Sequence, residues 1–225
     1  MNAMVSEMAQ QAAASVIGIA EARGAAQDHA GAADMNAPFD KDLFGHDTME
    51  RAAIFAGEER IELGRRWGPG PIACVIGCNP STANAYGDDP TSLWWNAWFQ
   101  LFGFGGYRAV NLYPFCTSSP AECRRKADWH KTDDWYARDQ MLMTNLPHVV
   151  KVAKESAQVF VCWGNIAWDG MWIEHVIEEI HGGEEPWPDL WCWGKTKSGA
   201  PTHPMARGKH RIPRDQKPIL WRSAQ

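Results

Sequence analysis

The chain alternates short apolar runs with longer stretches that carry apolar residues at helical spacing. Four runs read as buried strands: PIACVIG (71–77), YRAVNLYPF (107–115), AQVFVCWG (157–164) and DLWCWG (189–194). The first is short, continuous and bounded by Pro and Gly, the pattern of a strand covered on both faces. Between them lie helical patterns. DPTSLWWNAWFQLFG (89–103) opens with Asp89 or Thr91 as cap and Pro90 in the first turn, and Gly103 can end it. A second helical stretch is predicted from about Lys131 to Glu155 after a polar connection, with a break or restart near Pro147. IAWDGMWIEHVIEEI (166–180) is a third, stopped by Gly182-Gly183. RAAIFAGEERIELGRRW (51–67) suits either a hairpin across Gly57-Glu58 or a helix, because its period does not decide. Residues 1–45, rich in Ala, Gly, Gln and Asp, have little to bury and read as a mobile extension. Strands alternating with helices predict one α/β domain over residues 46–225, with a central, mostly parallel sheet and no internal repeat.

Composition changes this picture little. The 225 residues are 45% hydrophobic and 22% charged, ordinary globular values. Tryptophan stands out at 13 copies, which points first to an aromatic core. Trp94, Trp98 and Leu101 share one helical stripe and Trp95, Phe99 and Phe102 the next, which again reads as core. A net charge of -5 argues against non-specific coating of nucleic acid. From Lys195 onward, however, eight Lys and Arg residues face one acid, Asp215, so the end of the chain is either a solvated tail or a phosphate-facing patch. The six scattered cysteines form no C-x-x-C, which predicts reduced thiols and neither zinc nor an iron–sulfur cluster. With no apolar run near ~20 residues and no signal-peptide pattern, a cytoplasmic protein without a membrane partner is expected.

Ligands of parallel α/β sheets gather at the carboxyl ends of the strands. Those ends supply Asn79, Pro80 and Ser81, then Asn111, then Trp163, Gly164 and Asn165. The last strand leads through WGKTKSGAPTHPMARGKH to Lys197, His203 and the basic residues. Amides, a hydroxyl and an imidazole with few charges suit a neutral, planar, polar ligand. Each also has a plain reading as turn, cap or loop residue. Asp88-Asp89 offers a magnesium pair, yet no phosphate-loop glycines accompany it and helix capping accounts for Asp89. No Walker loop, G-x-G-x-x-G or G-x-S-x-G precedes a helix, so no cofactor is expected. Cys162 has no positioned base.

The set GCNPSTANAYGDDPT, AVNLYPF, VCWGNIA and TKSGAPTHP resembles a bacterial and phage family catalogued as domain of unknown function 1643, from about Arg51 to Pro213. The same motifs are similar, more faintly, to those of the uracil-DNA glycosylase superfamily. That resemblance implies a single three-layer α/β domain with a central parallel sheet. It also implies a water-positioning loop at Gly77-Cys78-Asn79-Pro80, a base-reading Asn111, a W-G strand end at Trp163-Gly164 and a late His203-Pro204 loop that polarises the base and approaches DNA. The chain departs from that pattern in two places. Asn79 stands where strong glycosylases have aspartate, and an amide is not a general base, so any such activity is expected to be weak or to need another base, Asp88 or Asp89. MARGK follows the H-P pair in place of the usual serine and leucine wedge, leaving Met205 or Arg207 to enter a duplex.

The expectation is therefore a nucleobase-recognising protein, a DNA glycosylase-like N-glycosidic hydrolase acting on a modified or mismatched base. Asn79 and His203 would be catalytic; Gly77, Pro80, Ser81, Asn111, Trp163, Gly164, Asn165 and Lys197 would bind substrate; Arg207, Lys209 and Arg211 would meet nucleic acid. The alternatives are a non-catalytic nucleobase- or nucleotide-binding module associated with DNA modification, and a metal-dependent phosphate-processing enzyme using Asp88 and Asp89.

Overall fold

The computed structural model describes residues 49–224; the extension predicted over 1–45 lies outside them. The ambiguous segment at 51–67 is a hairpin, β1 (Glu50–Ala56) and β2 (Glu59–Arg66), with Gly57 at φ 64° in its turn. Backbone with positive φ is a conformation glycine adopts without steric cost, which is why the turn falls there. β3 (Ile72–Gly77), β4 (Gly106–Asn111), β5 (Gln158–Val161) and β6 (Leu190–Cys192) follow the four predicted runs. A seventh strand, β7 (Ile219–Arg222), comes from the basic end of the chain, part of which therefore returns to the sheet instead of forming a tail.

The strands form one seven-stranded sheet in the order β1-β2-β4-β3-β5-β6-β7. Its centre, β4-β3-β5-β6, is parallel. The hairpin adds to one side and β7 to the other, both antiparallel, so the sheet is mixed. β1 and β2 take the hairpin alternative of the 51–67 segment; β7, an antiparallel edge strand that needs no crossover helix, was not registered by the strand–helix alternation.

α1 (Pro90–Leu101) begins as predicted: Asp89 accepts from the Ser92 backbone N–H, and Ser92 Oγ accepts in return from the Asp89 N–H, a closed capping box with Pro90 at the first position. The polar connection after β4 contains a further helix, α2 (Pro120–Ala127), capped by Ser119. α3 (Trp135–Glu155) starts four residues later than Lys131 and runs unbroken through Pro147. Burial of Leu142, Leu146, Val149 and Val152 along one side offsets the roughly 3 kcal/mol that an interior proline costs. α4 (Gly170–Ile180) begins at the Asp169 cap.

Strand alternation divides the apolar residues into two cores. Ala73 and Val75 pack with Trp94, Trp98 and Phe99 of α1, together with Phe160 and Trp193. Cys74 and Ile76 pack with Leu146, Val149 and Val152 of α3 and with Val176, Ile177 and Ile180 of α4. The aromatic core predicted from tryptophan content is the α1 side: Trp98 meets Trp193, Phe99 and Phe160 edge-on at 5.1–5.3 Å between ring centroids. Leu101, placed on the same stripe, is instead 62% exposed. All six cysteines are free. No helix among the described residues is long and apolar enough to cross a membrane.

Candidate functional site

β3 and β4 pair so that Gly77 lies opposite Asn111, both at the carboxyl end of the parallel strands. The pairing continues one step beyond, with the Leu112 N–H donating to the Gly77 carbonyl at 3.0 Å and the Tyr113 N–H to that of Cys78 at 2.9 Å. A Cβ at Gly77 would stand 2.8 Å from Asn111 Oδ1, so glycine is what lets the asparagine side chain lie against the strand end. Asn111 is 4% exposed. Its carbonyl accepts from Asn145 Nδ2 at 2.8 Å, but its own Nδ2 is buried with no hydrogen-bond partner among the described residues. An unmet buried amide costs about 1–3 kcal/mol, a cost that a bound acceptor would remove.

Asn79 follows on the loop. Its Nδ2 donates to the carbonyls of Thr117 at 2.8 Å and Pro80 at 2.9 Å, which ties the loop after β3 to the loop after β4. Those bonds fix the amide plane and leave Oδ1 as the acceptor that a water or ligand can use. Gly77, Asn79, Ser81, Asn111 and His203 line one pocket of about 240 Å³. Arg60, Asp89, Thr91 and Trp95 line it too.

The paired aspartates have different fates. Asp88 is held by Arg65, Nε to Oδ1 at 2.8 Å, with Arg51 at 3.5 Å and Asn96 Nδ2 donating at 3.3 Å. Burial opposes its ionisation, but the hydrogen bond and charge of Arg65 hold its carboxyl below the ordinary carboxylate range. Asp89 caps α1 and borders the pocket. Among the described residues, no group of three or more His, Cys, Asp and Glu is placed to hold a metal ion.

A second cavity of about 390 Å³ adjoins the first, with Ile166 and His203 lining both. Gly164, Asn165, Lys197 and Arg207 line it, together with Thr196 and His210. Asn165 Oδ1 accepts from Thr196 Oγ1 and Ser198 Oγ, each at 2.8 Å, which holds the loop that carries Lys197. Gly164, at φ 65°, would bring a Cβ to 3.3 Å from the His203 Cβ, and its N–H donates to the Pro201 carbonyl at 2.8 Å. His203 therefore sits close against the end of β5.

The imidazole of His203 is oriented by the backbone. The Met205 N–H donates to Nδ1 at 3.1 Å, so Nδ1 is the unprotonated nitrogen and Nε2 carries the proton. Burial pushes the His203 pKa down to about 4, with the Asp89 charge opposing. Near neutral pH the ring is an uncharged Nε2–H donor on the wall between two cavities.

The predicted residues divide accordingly. Gly77, Asn79, Ser81 and Asn111 meet in one pocket, Gly164, Asn165, Lys197 and Arg207 in the other, with His203 common to both. Pro80 is buried and absent from both linings; its carbonyl ties the loops together. Trp163, 2% exposed, packs edge-on against Trp221 at 5.1 Å between ring centroids and belongs to the core instead of a wall. Lys209 and Arg211 are exposed on the C-terminal segment, outside either cavity.

Arg60 was not among the predicted residues. It is 3% exposed, and its Nη1 donates to the Ala83 carbonyl while its Nε has no partner among the described residues. Burial pushes its pKa below the ordinary guanidinium value, partly offset by charges that include Asp89. It reaches the site because β2 runs antiparallel to β4, with Leu63 opposite Ala109 and Arg66 opposite Gly106. The start of β2 therefore lies level with the end of β4. A search limited to the carboxyl ends of parallel strands passes over such a residue.

The family model described as "Protein of unknown function (DUF1643)" matches residues 60–205, within the Arg51–Pro213 span marked out by the motifs. That is more than half of the chain, and the chain belongs to this family. No curated protein and no solved structure matches it.

Proposed function

We propose that this member of the DUF1643 family recognises a nucleobase in the pocket at the ends of β3 and β4, and that it acts as a glycosylase-like N-glycosidic hydrolase on a modified or mismatched base. The observation that carries the reading is Asn111. A buried amide with a free Nδ2, at the edge of a small pocket, is suited to pair with the edge of a flipped-out base. Neutral His203 in the same pocket supports it, since an uncharged Nε2–H can donate to a base carbonyl where negative charge develops. The parallel centre of the sheet, with α1 on one face and α3 and α4 on the other, is consistent with the three-layer arrangement of uracil-DNA glycosylase-like proteins.

In this reading, water oxygen bonds to the anomeric carbon of the sugar while the N-glycosidic bond breaks and its electron pair leaves with the base. His203 Nε2–H stabilises the base as it departs. Asn79 Oδ1 orients the water. An amide takes up no proton, so that proton passes to Asp89, the carboxylate on the pocket wall, or to solvent. Asp88, paired with two arginines, is poorly available for this role. Lys197 and Arg207 in the adjoining cavity, with Lys209 and Arg211 exposed on the same segment, would meet phosphates. Met205, 43% exposed, is the apolar side chain available to enter a duplex.

One observation favours a second reading. Asn79 Nδ2 is committed to backbone carbonyls, as in a loop tie. A binding module that holds a base without hydrolysing it would need no more than this.

Incubation with duplexes carrying uracil, thymine mismatches or hydroxymethylated bases, followed by alkaline cleavage at abasic sites, separates the two. Cleavage lost in Asn79→Ala and His203→Ala supports hydrolysis. Binding without cleavage, weakened by Asn111→Ala, supports the module. Failure of every such substrate to bind removes the nucleobase reading.

A further inference from the structure

β2 contributes two buried arginines, and they are provided for unequally. Arg65 has a carboxylate and three carbonyls: Asp88 Oδ1 at 2.8 Å, and the backbone oxygens of Gly64 at 2.8 Å, Asn84 at 2.8 Å and Gly87 at 3.1 Å. Arg60 has one carbonyl, that of Ala83. Its Nε is buried and unpartnered, and no carboxylate among the described residues hydrogen-bonds to it. Removing a guanidinium from water is costly unless an anion meets its forked donors, and a carboxylate or phosphate does so with two parallel bonds. Arg65 has such a partner within the fold. Arg60, on the wall of the pocket, does not.

The rest of the pocket is also rich in donors. Asn111 Nδ2 is unmet and His203 carries its proton on Nε2. Asp89 is the one carboxyl side chain among the lining residues, and its Oδ1 is already taken by the Ser92 N–H.

We propose that Arg60 anchors an anionic group of the ligand, so that the compound held in this pocket carries a carboxylate or phosphate oxygen pair beside the edge read by Asn111. That the anion is borne by a nucleobase rests on the reading above; the anion anchor itself does not. The substrate class narrows accordingly, from any modified base to one with an acidic substituent, or to a nucleotide whose phosphate turns inward. Arg60 thereby distinguishes charged from uncharged ligands, and Asn111 distinguishes one base edge from another.

The test is calorimetric titration of the full chain at fixed ionic strength with uracil, uracil-5-carboxylate, uridine 5′-monophosphate, acetate and inorganic phosphate. The wild-type protein is expected to bind the carboxylate or the monophosphate about ten-fold or more tighter than uracil. Preference for the first places the anion on the base, and preference for the second places it on the phosphate. Arg60→Gln should abolish the preference and leave uracil binding in place. Arg60→Lys, which keeps the charge and loses the fork, should reduce it, and serves where the glutamine variant does not fold by circular dichroism. Equal wild-type affinity for uracil and both charged forms overturns the proposal, as does a preference that survives in Arg60→Gln. If the three uracil compounds do not bind but acetate or phosphate binds in an Arg60-dependent manner, the anchor stands and the nucleobase reading falls. If no anion binds, the anchor falls.

Discussion

His203 makes a quantitative prediction because its proton is tied to a visible hydrogen bond. The Met205 N–H occupies Nδ1, and burial lowers the pKa from 6.5 to about 4. The folded state thus binds fewer protons than the unfolded chain between these values, and stability is lost as pH falls through that window. The cost follows from linkage: about 1.4 kcal/mol at pH 5.5 and about 2.5 kcal/mol at pH 4.5, relative to pH 7.5. Glu62 does not obscure the upper part of this range. Burial works against its ionisation, but hydrogen bonds from His148 and Arg108 hold its pKa down to about 2, so its contribution persists above 4.5 and is lost only below. The perturbation is His203→Gln, which keeps a polar side chain and removes the titration. Urea unfolding of both proteins from pH 7.5 to 4.5 should give stability differences that converge by these amounts as pH falls. A ¹³C-edited NMR titration of the imidazole Cε1–H reads the same group directly, and Asp89→Asn should lower its pKa further by removing the opposing charge. Titration of His203 near 6.5, or a stability difference independent of pH, would refute the argument for a neutral Nε2–H donor.

Other perturbations probe the neighbouring residues. Gly77→Ala puts a Cβ where Asn111 Oδ1 lies 2.8 Å away, so it should displace that side chain, cost about 1–3 kcal/mol of stability and weaken ligand binding about ten-fold or more in the fraction that stays folded; thermal unfolding and calorimetry separate the two effects. Asp88→Asn leaves Arg65, whose side chain is 0% exposed, without its carboxylate, and should cost about 3–5 kcal/mol in urea unfolding. A change below 1 kcal/mol would mean the pair is not structural. Glu62→Gln removes the carboxylate shared by Arg108 at 2.7 Å and His148 at 2.6 Å, and should abolish the acid-dependent loss of stability assigned to this group below pH 4.5.

How far the sequence could be read follows from which physical signals are local. Continuous apolar runs located β3 to β6, and Asp89 or Thr91 as cap with Pro90 in the first turn located α1, because both signals lie within a few residues. α2 was passed over because its eight residues bury only Cys123 and Ala127 and leave almost no apolar period. β7 was hidden in a stretch whose charges suggested a tail, although Ile219 and Leu220 mark a short edge strand. At the site, Asn79, Asn111 and His203 were found by the rule that parallel strands deliver ligand groups at their carboxyl ends. Trp163 obeyed the same rule and still turned into the core, because a large aromatic ring gains more from burial against Trp221 than from a pocket wall. Arg60 was invisible for the opposite reason. Arg60, Glu62 and Arg65 put charge on both faces of β2, as an exposed edge strand would, yet β2 is an inner strand between β1 and β4 and buries all three.

The central claim is that the buried amide of Asn111 waits for the edge of a base. Its side-chain ¹⁵N–¹H₂ resonance pair, assigned by comparison with Asn111→Asp, reports this directly in the full chain. Addition of uracil, uracil-5-carboxylate or a single-stranded oligonucleotide containing the base should shift this pair in a saturable manner, while the pair of Asn145, bonded to the Asn111 carbonyl, moves little. An Asn111 pair that stays unmoved while one of these compounds binds elsewhere, or at concentrations well above any binding event, would contradict the account.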